Sequence, residues 1–311
     1  MHAQAVILDR PERLGLADLA LDAPGPADAT VAVAWSGIST GTERLLWSGR
    51  MPDFPGMGYP LVPGYESVGV VVEAGPDSGR RVGETVFVPG ARCFGPVRGL
   101  FGGAASHLVS AGSRLRPIPE SLGERGILLA LAATARHALA GSEGQGRQLV
   151  VGHGVLGRLL VRLMRVAGLD PVVWERDPAR RGTQQAYPVI DPAQDDTAYA
   201  RIIDASGDAG LLDTLIARLQ PGGEVVLAGF YEAPLSFAFP AAFLREARIR
   251  VAAQWQPHDL DAVAAMAGSG ALSLDQLVTH RRPAAEAPDA YRTAFGDPDC
   301  LKMILDWRAQ P

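Results

Sequence analysis

The sequence is poor in several residues that mark particular classes of protein. Only two cysteines, Cys93 and Cys300, occur in 311 residues, which excludes a four-cysteine structural zinc lobe and a disulfide framework. Asparagine is absent, so the chain has no N-glycosylation acceptor. No run approaches the ~20 apolar residues of a membrane span, and the first residues lack the apolar core of a signal peptide. We therefore expect a cytoplasmic protein with reduced thiols and no integral membrane segment.

Charge of either sign is also limited. The chain has 29 basic and 34 acidic side chains, a formal net charge of −5, and a single lysine, Lys302. Nucleic acid binding usually requires a clearly basic surface, which this balance does not favour. Hydrophobic residues make up 47% and charged residues 20%, which is typical of a folded globular protein. We expect a globular protein that binds no nucleic acid.

Two kinds of local pattern divide the chain. Residues 1–120 contain short apolar runs between Gly and Pro turns, which indicate an antiparallel barrel or sandwich. Residues 121–254 alternate strand and helix patterns, which is typical of a doubly wound parallel sheet of α/β class. The last ~55 residues are too few for an independent domain. We therefore predict one domain formed by residues 1–120 and 255–311, and a second formed by residues 121–254.

Some of these patterns are clear enough to give element bounds. Among the elements that they predict are strands at Gln4–Leu8, Thr30–Trp35, Glu66–Glu73, Thr85–Val88, Ser106–Val109 and Gln148–Val151, and helices at Glu124–Ala140 and Leu156–Ala167.

A glycine-rich run follows the strand pattern that ends at Val151. It has the spacing G-x-G-x-x-G, with an amphipathic helix pattern after it. In a dinucleotide site, the first glycine allows the tight turn, the second lets the pyrophosphate approach, and the third lets helix and strand pack. The predicted cofactor-binding residues of this run are Gly152, Gly154, Val155, Leu156 and Gly157. His153 lies inside the loop, where its side chain could touch the pyrophosphate.

The acid expected at the end of the next strand is Glu175, 18 residues beyond Gly157. A carboxylate here accepts hydrogen bonds from ribose hydroxyls and repels a 2′-phosphate, so it favours NAD over NADP. Arg176 follows directly, with Arg180 and Arg181 nearby, and these side chains could instead hold a phosphate. We predict NAD as the cofactor.

Later strands of the predicted sheet end near residues 204 and 228. Ligands bind at the carboxyl ends of parallel strands. Ser206, Gly229 and Phe230 are therefore predicted to line the nicotinamide side, although ordinary strand-end turns explain each of them equally well.

Several motifs, taken in order, resemble the medium-chain dehydrogenase/reductase superfamily. They are Gly37–Glu43 (GISTGTE), Pro63–Gly69 (PGYESVG), Gly103–Val109 (GAASHLV), Thr279–Arg281 and Cys300–Leu305 (CLKMIL). The resemblance covers nearly the whole chain. It implies a Rossmann-type doubly wound sheet and a GroES-like, largely β barrel domain that binds the substrate. It also places Thr134 near the nicotinamide.

The chain departs from the zinc-dependent members of that superfamily at three positions. Where those members carry Cys, His and Cys as zinc ligands, this sequence has Ser39, Tyr65 and, approximately, Ala130. A tetrahedral zinc site of N and S ligands cannot be built from these side chains. The resemblance therefore implies a zinc-independent enzyme with no bound metal.

A narrower resemblance concerns the substrate. The chain is most similar to the dehydrogenases of bacteriochlorophyll biosynthesis in photosynthetic organisms. Four features carry this similarity: the Ser36–Glu43 segment, a Gly-Tyr-Glu sequence in place of Gly-His-Glu, the short length and the Asp299–Trp307 segment. Those enzymes oxidise the ring-A hydroxyethyl group of a (bacterio)chlorophyllide a to acetyl with NAD. A flat tetrapyrrole needs an aromatic and Met-lined surface, with cations such as Arg92 or Arg98 for its carboxylate. The predicted substrate residues are Trp47, Arg50, Met51, Phe54, Met57, Tyr59, Phe94 and Phe101, although core packing explains any one of them equally well.

The resemblance also implies the catalytic groups. Ser39 and Tyr65 should face the reacting carbon, Thr42 matches the hydroxyl that starts a proton relay, and Glu66 lies beside Tyr65. We predict that Tyr65, with Ser39 or Thr42, hydrogen-bonds the substrate hydroxyl, and that the proton leaves through Glu66, His107 or water. Tyr65 could act as a base only if nearby positive charge lowered its pKa. The alternative is that Tyr65 merely fills the pocket left by the metal.

Two other functions stay open from the sequence. One is a zinc-free NAD(P)H-dependent reductase of quinones or enones. The other is a non-enzymatic NAD-binding scaffold that kept the fold and lost the chemistry.

Because family members often pair through edge strands of the nucleotide domain, a homodimer is also expected.

Overall fold

The computed structural model describes residues 1–53, 55–141, 146–182 and 186–308. The chain divides into two compact units, Met1–Ala130 with Leu274–Pro311 (unit 1) and Leu131–Ser273 (unit 2). These bounds differ from the predicted ones at residues 120 and 254. The first division falls inside the helix Leu129–Ala138, and the helix Pro257–Gly268, which was expected in the returning segment, belongs to unit 2.

The elements up to residue 138 are mostly short strands. The strands are β1 (His2–Arg10), β2 (Arg13–Ala20), β3 (Asp28–Ile38), β4 (Leu61–Val62), β5 (Ser67–Ala74), β6 (Thr85–Val88), β7 (Arg98–Gly99), β8 (His107–Ala111) and β9 (Arg116–Pro117). The α-helices are α1 (Thr42–Ser48) and α2 (Leu129–Ala138), and 3₁₀ turns occupy Gly112–Arg114 and Glu120–Leu128.

Beyond residue 138, strands and helices alternate. The strands are β10 (Gln148–Val151), β11 (Val172–Trp174), β12 (Val189–Ile190), β13 (Tyr199–Asp204), β14 (Leu219–Leu227), β15 (Arg248–Val251), β16 (His280–Pro283) and β17 (Met303–Asp306). The α-helices are α3 (Val155–Val166), α4 (Pro178–Arg181), α5 (Leu212–Ala217), α6 (Phe239–Leu244), α7 (Pro257–Gly268) and α8 (Ala287–Gly296). Short 3₁₀ turns occupy Pro192–Gln194, Ala209–Leu211 and Ala284–Glu286.

Unit 1 is largely β, as predicted. One sheet has the order β2-β1-β4-β7, and a seven-stranded sheet has the order β16-β17-β3-β5-β6-β9 with β8 also paired to β3. The long strand β3 pairs antiparallel with β5, β8 and β17. The end of the chain therefore completes the sheet of unit 1, with Met303 opposite Ile38.

Unit 2 is built on a six-stranded parallel sheet of order β12-β11-β10-β13-β14-β15. This order confirms the predicted Rossmann-type doubly wound sheet, whose topological switch point lies between β10 and β13. All four residues of β10 are buried, as expected for a strand covered on both faces. Helix α3 buries an apolar face that includes Leu159, Leu163 and Met164.

Two of the differences from the expected elements concern α2 and β2. The predicted helix Glu124–Ala140 is 3₁₀ as far as Leu128 and α-helical only over Leu129–Ala138, and a break at Gly123, where φ is 51°, precedes it. Strand β2 was not predicted, because it is half-exposed and lacks clear alternation. Among the described residues, no helix combines the length and apolar composition that a bilayer crossing requires.

Candidate active site

Three predicted catalytic hydroxyls lie together in unit 1. Strands β3 and β5 are antiparallel with Ser36 opposite Ser67, so the residue after β3 lies beside the residues before β5. The Ser39 Oγ atom is 2.8 Å from the Tyr65 hydroxyl oxygen, and either group can donate. Thr42, the first residue of α1, also hydrogen-bonds Tyr65. The site therefore presents a cluster of hydroxyl groups that can hold an alcohol.

The charge around Tyr65 does not favour a tyrosinate. Burial, and after it the negative charge of Glu66, raise the pKa of Tyr65, and Glu43 adds to the effect. Hydrogen bonds from Ser39 and Thr42 act in the opposite direction without reversing it. The surrounding groups thus raise the pKa of Tyr65, whereas a tyrosine that acts as a base needs a lowered pKa. Tyr65 keeps its proton at neutral pH and acts as a hydrogen-bonding hydroxyl.

Glu66 is held away from the hydroxyl cluster by the chain's single lysine. The Lys302 Nζ atom donates to Glu66 Oε2 at 2.6 Å and to the carbonyl oxygen of Ile38 at 3.2 Å, and both side chains are buried. A side chain at residue 37 would displace the Glu66 carboxylate from Lys302, because a Cβ atom there would lie 2.3 Å from Glu66 Oε2. Burial raises the pKa of Glu66, and Lys302 opposes that rise.

The predicted proton exits have no hydrogen bond to Tyr65. Within the described residues, none joins Tyr65 to Glu66 or to His107, whose Nδ1 lies 3.3 Å from Ser106 Oγ. Glu66 Oε1 accepts no hydrogen bond from the described residues. Glu66 therefore acts on Tyr65 through its charge.

Sequence reasoning missed Glu43 as a member of the site. Its Oε1 atom accepts the backbone N–H of Ser39 at 3.0 Å, and its Oε2 atom accepts the Tyr291 hydroxyl at 2.6 Å. Burial raises the pKa of Glu43 to about 7. The available sequence signal was an acid four residues after Ser39 in the first turn of α1, but its partner Tyr291 is remote in the sequence.

Two predicted substrate residues belong to hydrophobic cores instead. Phe94 is 2% exposed and packs in the core of the larger sheet, and Met51 is 9% exposed in a cluster with Leu46 and Leu100. In this conformation both side chains pack against neighbouring apolar residues. Met and Phe serve packing as readily as binding, so sequence could not separate the two roles.

The other residues of the predicted substrate surface are partly accessible. The Trp47 ring packs on Phe295 at 5.6 Å, and the Phe101 ring meets Tyr65 edge-on at 5.4 Å. The Tyr59 hydroxyl donates to the Leu46 carbonyl, and Met57 packs against the Met51 cluster. Arg50 is exposed, with its Nε atom 3.2 Å from Ser48 Oγ. Phe54 lies outside the described residues. Phe101 thus places an aromatic surface directly beside the hydroxyl cluster.

The glycine loop in unit 2 has the geometry that a dinucleotide requires. Gly152 has φ of +95°, and a Cβ atom on Gly157 would lie 1.9 Å from the Gly152 carbonyl oxygen. Gly154 precedes α3, and a Cβ atom there would meet nothing within 4 Å. The first residues of α3, Val155 and Leu156, present free N–H groups at its positive end. These residues fit a bound pyrophosphate.

Glu175 is fixed at the end of β11 by two backbone donors. Its Oε2 atom accepts the N–H of His153 at 3.0 Å, and its Oε1 atom accepts that of Asp177 at 2.9 Å. The arginines that could have held a 2′-phosphate approach carboxylates instead. Their contacts are Arg176 with Asp208 at 3.1 Å, Arg180 with Asp177 at 3.8 Å and Arg181 with Asp191 at 2.8 Å.

Buried Asp204 is the last residue of β13 and accepts hydrogen bonds from the residues around it. Its Oδ1 atom accepts the N–H and the hydroxyl of Ser206, and its Oδ2 atom accepts the Tyr231 hydroxyl at 2.8 Å. Gly229 must lack a side chain, since a Cβ atom would lie 2.8 Å from the Gly207 nitrogen. Phe230 is 39% exposed beside them, and Thr134 is half-buried on α2. Sequence reasoning named Ser206, Gly229 and Phe230 but missed Asp204 and Tyr231.

The three positions that replace zinc ligands do not fit a metal. Ser39 and Tyr65 hydrogen-bond each other, and Ala130 is buried and offers only a methyl group. Neutral hydroxyls and a methyl group are not the N and S donors that zinc takes in proteins. In the part of the chain that the structure describes, no three His, Cys, Asp or Glu side chains are grouped to hold a metal ion.

Comparisons with known proteins agree with this architecture. Residues 25–120 match the alcohol dehydrogenase GroES-like domain family. Two curated relatives, both named 2-desacetyl-2-hydroxyethyl bacteriochlorophyllide A dehydrogenase, match over 99% of this chain and 99% of their own length. The relative from Rhodobacter capsulatus is 59% identical, and that from Cereibacter sphaeroides is 58% identical.

A solved structure shares the fold at much lower identity. It is an alcohol dehydrogenase from E. coli CFT073 complexed with NADH, with a TM-score of 0.84 and 20% identity over 98% of this chain and 99% of that chain.

Proposed function

The chain belongs to the medium-chain dehydrogenase/reductase superfamily and, within it, to the family of the two relatives at 58–59% identity, and from this we propose that it oxidises the ring-A hydroxyethyl group of a (bacterio)chlorophyllide a. The product is the acetyl pigment: the alcohol loses a hydride to NAD and a proton to water. The single observation that carries the proposal is the full-length identity with two dehydrogenases named for this substrate.

The hydroxyl cluster supplies the groups that would hold the alcohol. NAD, when bound, supplies the hydride acceptor. Tyr65 and Ser39 hold the substrate oxygen and fix its direction. Because Tyr65 keeps its proton, we propose that it accepts the alcohol proton while its own proton passes to Thr42, which releases its hydroxyl proton in turn. Thr42 is only half-buried and so can deliver that proton toward water.

We propose that the reaction is zinc-independent. In zinc enzymes the metal acidifies the alcohol. Here the positions that would carry zinc ligands are two hydrogen-bonded hydroxyls and a methyl group, which fit no metal. The concerted transfer through Tyr65 and its neighbours takes over the removal of the proton.

We propose NAD rather than NADP as the cofactor. Glu175 is fixed beneath the glycine loop with both carboxylate oxygens aimed at backbone N–H groups. A carboxylate retains acceptor capacity for ribose hydroxyls after two such bonds, and its charge repels a 2′-phosphate. The pairing of Arg176 and Arg181 with Asp208 and Asp191 removes the cations most able to offset that repulsion.

The substrate surface is proposed to include Phe101, Trp47, Met57 and Tyr59, with the pigment carboxylate meeting Arg50 or Arg98. Phe101 supports this assignment because it contacts Tyr65. Arg98 is exposed and lies against Gly58, where a Cβ atom would meet its guanidinium carbon at 3.0 Å. An exposed guanidinium can bind a carboxylate with two parallel hydrogen bonds.

A homodimer is proposed through the edge of the unit 2 sheet. Among the described residues, strand β15 pairs with β14 alone, and Ile249 and Val251 on it are 37% and 72% exposed. An exposed apolar edge strand is a ready site for pairing with a second copy. Light scattering should give twice the mass of the chain, and Val251→Arg should return it to the mass of one chain.

The function is tested by incubating purified protein with NAD and hydroxyethyl chlorophyllide a. We expect the acetyl pigment, two mass units lighter, in equal amount to the NADH formed. Binding of NAD without any product would favour the scaffold, and NADPH-dependent reduction of a quinone without pigment oxidation would favour the reductase.

A further inference from the structure

His153 is a buried residue of the glycine loop for which the dinucleotide geometry has no evident need. Its side chain is 0% exposed, so the expected contact with a pyrophosphate is wrong. The ring instead contacts two groups from later in the chain. Nδ1 is 2.7 Å from the carbonyl oxygen of Arg180, and Nε2 is 2.8 Å from the Tyr187 hydroxyl.

These two contacts define the protonation state of the ring. A carbonyl oxygen only accepts, so Nδ1 must carry the proton that it donates to Arg180. Nε2 is then bare in the neutral ring, and the Tyr187 hydroxyl donates to it. Burial lowers the pKa of His153, and the positive charges of Arg158 and Arg162 on α3 act in the same direction, against the carboxylate of Glu175. The neutral Nδ1-protonated ring therefore prevails at neutral pH.

The main chain of the same residue is also fully used. Its N–H donates to Glu175 Oε2 at 3.0 Å, and its carbonyl oxygen accepts from Arg158 Nε at 3.1 Å. His153 thus joins the glycine loop to α3, to the carboxylate at the end of β11, to α4 and to Tyr187.

Polar contacts with the described residues around it hold helix α4 in place. It is four residues long, and none of its residues is buried. It is held by the His153 ring at Arg180, by the Asp177 cap, and by Arg181, whose Nη1 atom donates to Asp191 and to the carbonyls of Glu175 and Arg176. Removal of one contact can shift α4 and the Glu175 turn without disturbing the sheet.

We propose that His153 is a positioning residue for the adenosine half of the dinucleotide, whose ring holds α4 against the glycine loop and so keeps Glu175 in place for the ribose hydroxyls. The proposal rests on the NAD site proposed above. It assigns a specificity role to a side chain that does not itself touch the cofactor, and Tyr187 shares that role.

Two variants test the assignment by binding. Tyr187→Phe removes only the hydroxyl that donates to Nε2, and the edge-on ring contact, with centroids 5.7 Å apart, can persist. His153→Gln removes the ring and keeps a polar side chain. We expect Kd for NADH and for ADP-ribose to rise about tenfold in His153→Gln and about threefold in Tyr187→Phe, since buried hydrogen bonds of this kind are worth such factors. KM for NAD should rise by the same factors as these Kd values.

The control is Tyr199, a buried tyrosine of the same unit. Tyr199 donates its hydroxyl to Asp195 at 2.5 Å, inside the apolar core of unit 2. Tyr199→Phe should lower Tm as much as Tyr187→Phe does, yet leave Kd for NADH and ADP-ribose unchanged. A purely structural role for His153 predicts the opposite result, with Tm lowered and both Kd values within twofold of the parent protein.

A spectroscopic test reads the protonation state of the ring directly. The ¹⁵N spectrum of histidine-labelled protein should show one ring with a protonated Nδ1 and a bare Nε2 at pH 7, and that signal should vanish in His153→Gln. A bare Nδ1 would overturn the proposal, as would a parent protein that does not bind ADP-ribose. A parent protein that binds ADP-ribose but does not oxidise the pigment would contradict the proposed function and leave the role of His153 standing.

Discussion

Glu43 and Tyr291 form a buried hydrogen bond of 2.6 Å between residues that are 248 positions apart. The same carboxylate takes the N–H of Ser39, whose hydroxyl lies 2.8 Å from that of Tyr65. The C-terminal helix α8 thereby reaches the hydroxyl cluster through a single acid. The titration of Glu43 should therefore change the free energy of unfolding of the protein.

Burial raises the pKa of Glu43 to about 7, whereas an exposed glutamate has its pKa at 4.5. A carboxyl with a raised pKa binds more protons in the folded than in the unfolded state, so its contribution to stability is complete below pH 4.5 and is lost as pH rises through 7. With 2.5 pH units between the two values, the loss is about 3 kcal/mol. The variant Glu43→Gln does not lose this stability as pH rises, because its side chain does not titrate.

Urea unfolding at pH 4.5 and pH 8 measures the effect. The free energy of unfolding of Glu43→Gln minus that of the parent protein should increase by roughly 3 kcal/mol between the two pH values. A constant difference would show that Glu43 does not titrate in this range.

Tyr65→Phe tests the hydroxyl cluster. The ring and its contact with Phe101 remain, while the hydroxyl that holds the substrate oxygen is lost. We expect kcat to fall ~10²-fold with Kd for NAD unchanged, because general acid–base groups contribute about that factor. Tyr199→Phe serves as control for loss of a buried tyrosine hydroxyl, and unchanged turnover in Tyr65→Phe would reduce Tyr65 to a filling residue.

Lys302→Met tests the ion pair with Glu66. Loss of the lysine leaves a buried carboxylate without its countercharge, which costs about 3–5 kcal/mol. The pKa of Glu66 then rises further, so the folded variant binds an additional proton and its deficit in stability should shrink as pH falls from 8 to 5. Urea unfolding of Lys302→Met, and of the double variant with Glu66→Gln, measures this change. The double variant should recover most of the loss at pH 8, and failure to recover would show that Lys302 acts through packing alone.

Glu175→Gln tests the choice of cofactor. The amide keeps the size of the side chain and removes the charge that repels a 2′-phosphate. We expect the ratio of Kd for NADPH to Kd for NADH to fall at least ~10-fold, as for removal of a charge that faces a ligand. Fluorescence titration with both cofactors measures the ratio, and an unchanged ratio would mean that discrimination lies elsewhere.

The sequence predicts the parts of this protein that depend on local pattern. The buried run at Gln148–Val151, the glycines at 152, 154 and 157 and the apolar face of α3 are all set within twenty residues, and the structure has them where the spacing predicts. The family resemblance implied that Ser39 and Tyr65 lie together, and in the structure they do because β3 and β5 are adjacent antiparallel strands.

The rest depends on contacts between distant parts of the chain. Lys302 lies 236 residues from Glu66, and Tyr291 lies 248 from Glu43, so no local pattern connects them. The burial of Phe94 and Met51 was not predicted, for a different reason. Aromatic and Met side chains between Gly and Pro turns suit a core as well as a binding surface, and only tertiary packing decides between them.

The most direct measurement is the fate of hydroxyethyl chlorophyllide a in the presence of NAD and metal-free protein. After exhaustive chelation, a zinc-independent reaction through Tyr65 predicts that the pigment is still converted to its acetyl form with one NADH formed per pigment, and that Tyr65→Phe slows this conversion ~10²-fold. Absence of conversion by a protein that binds NAD, or conversion that requires added zinc, would contradict it.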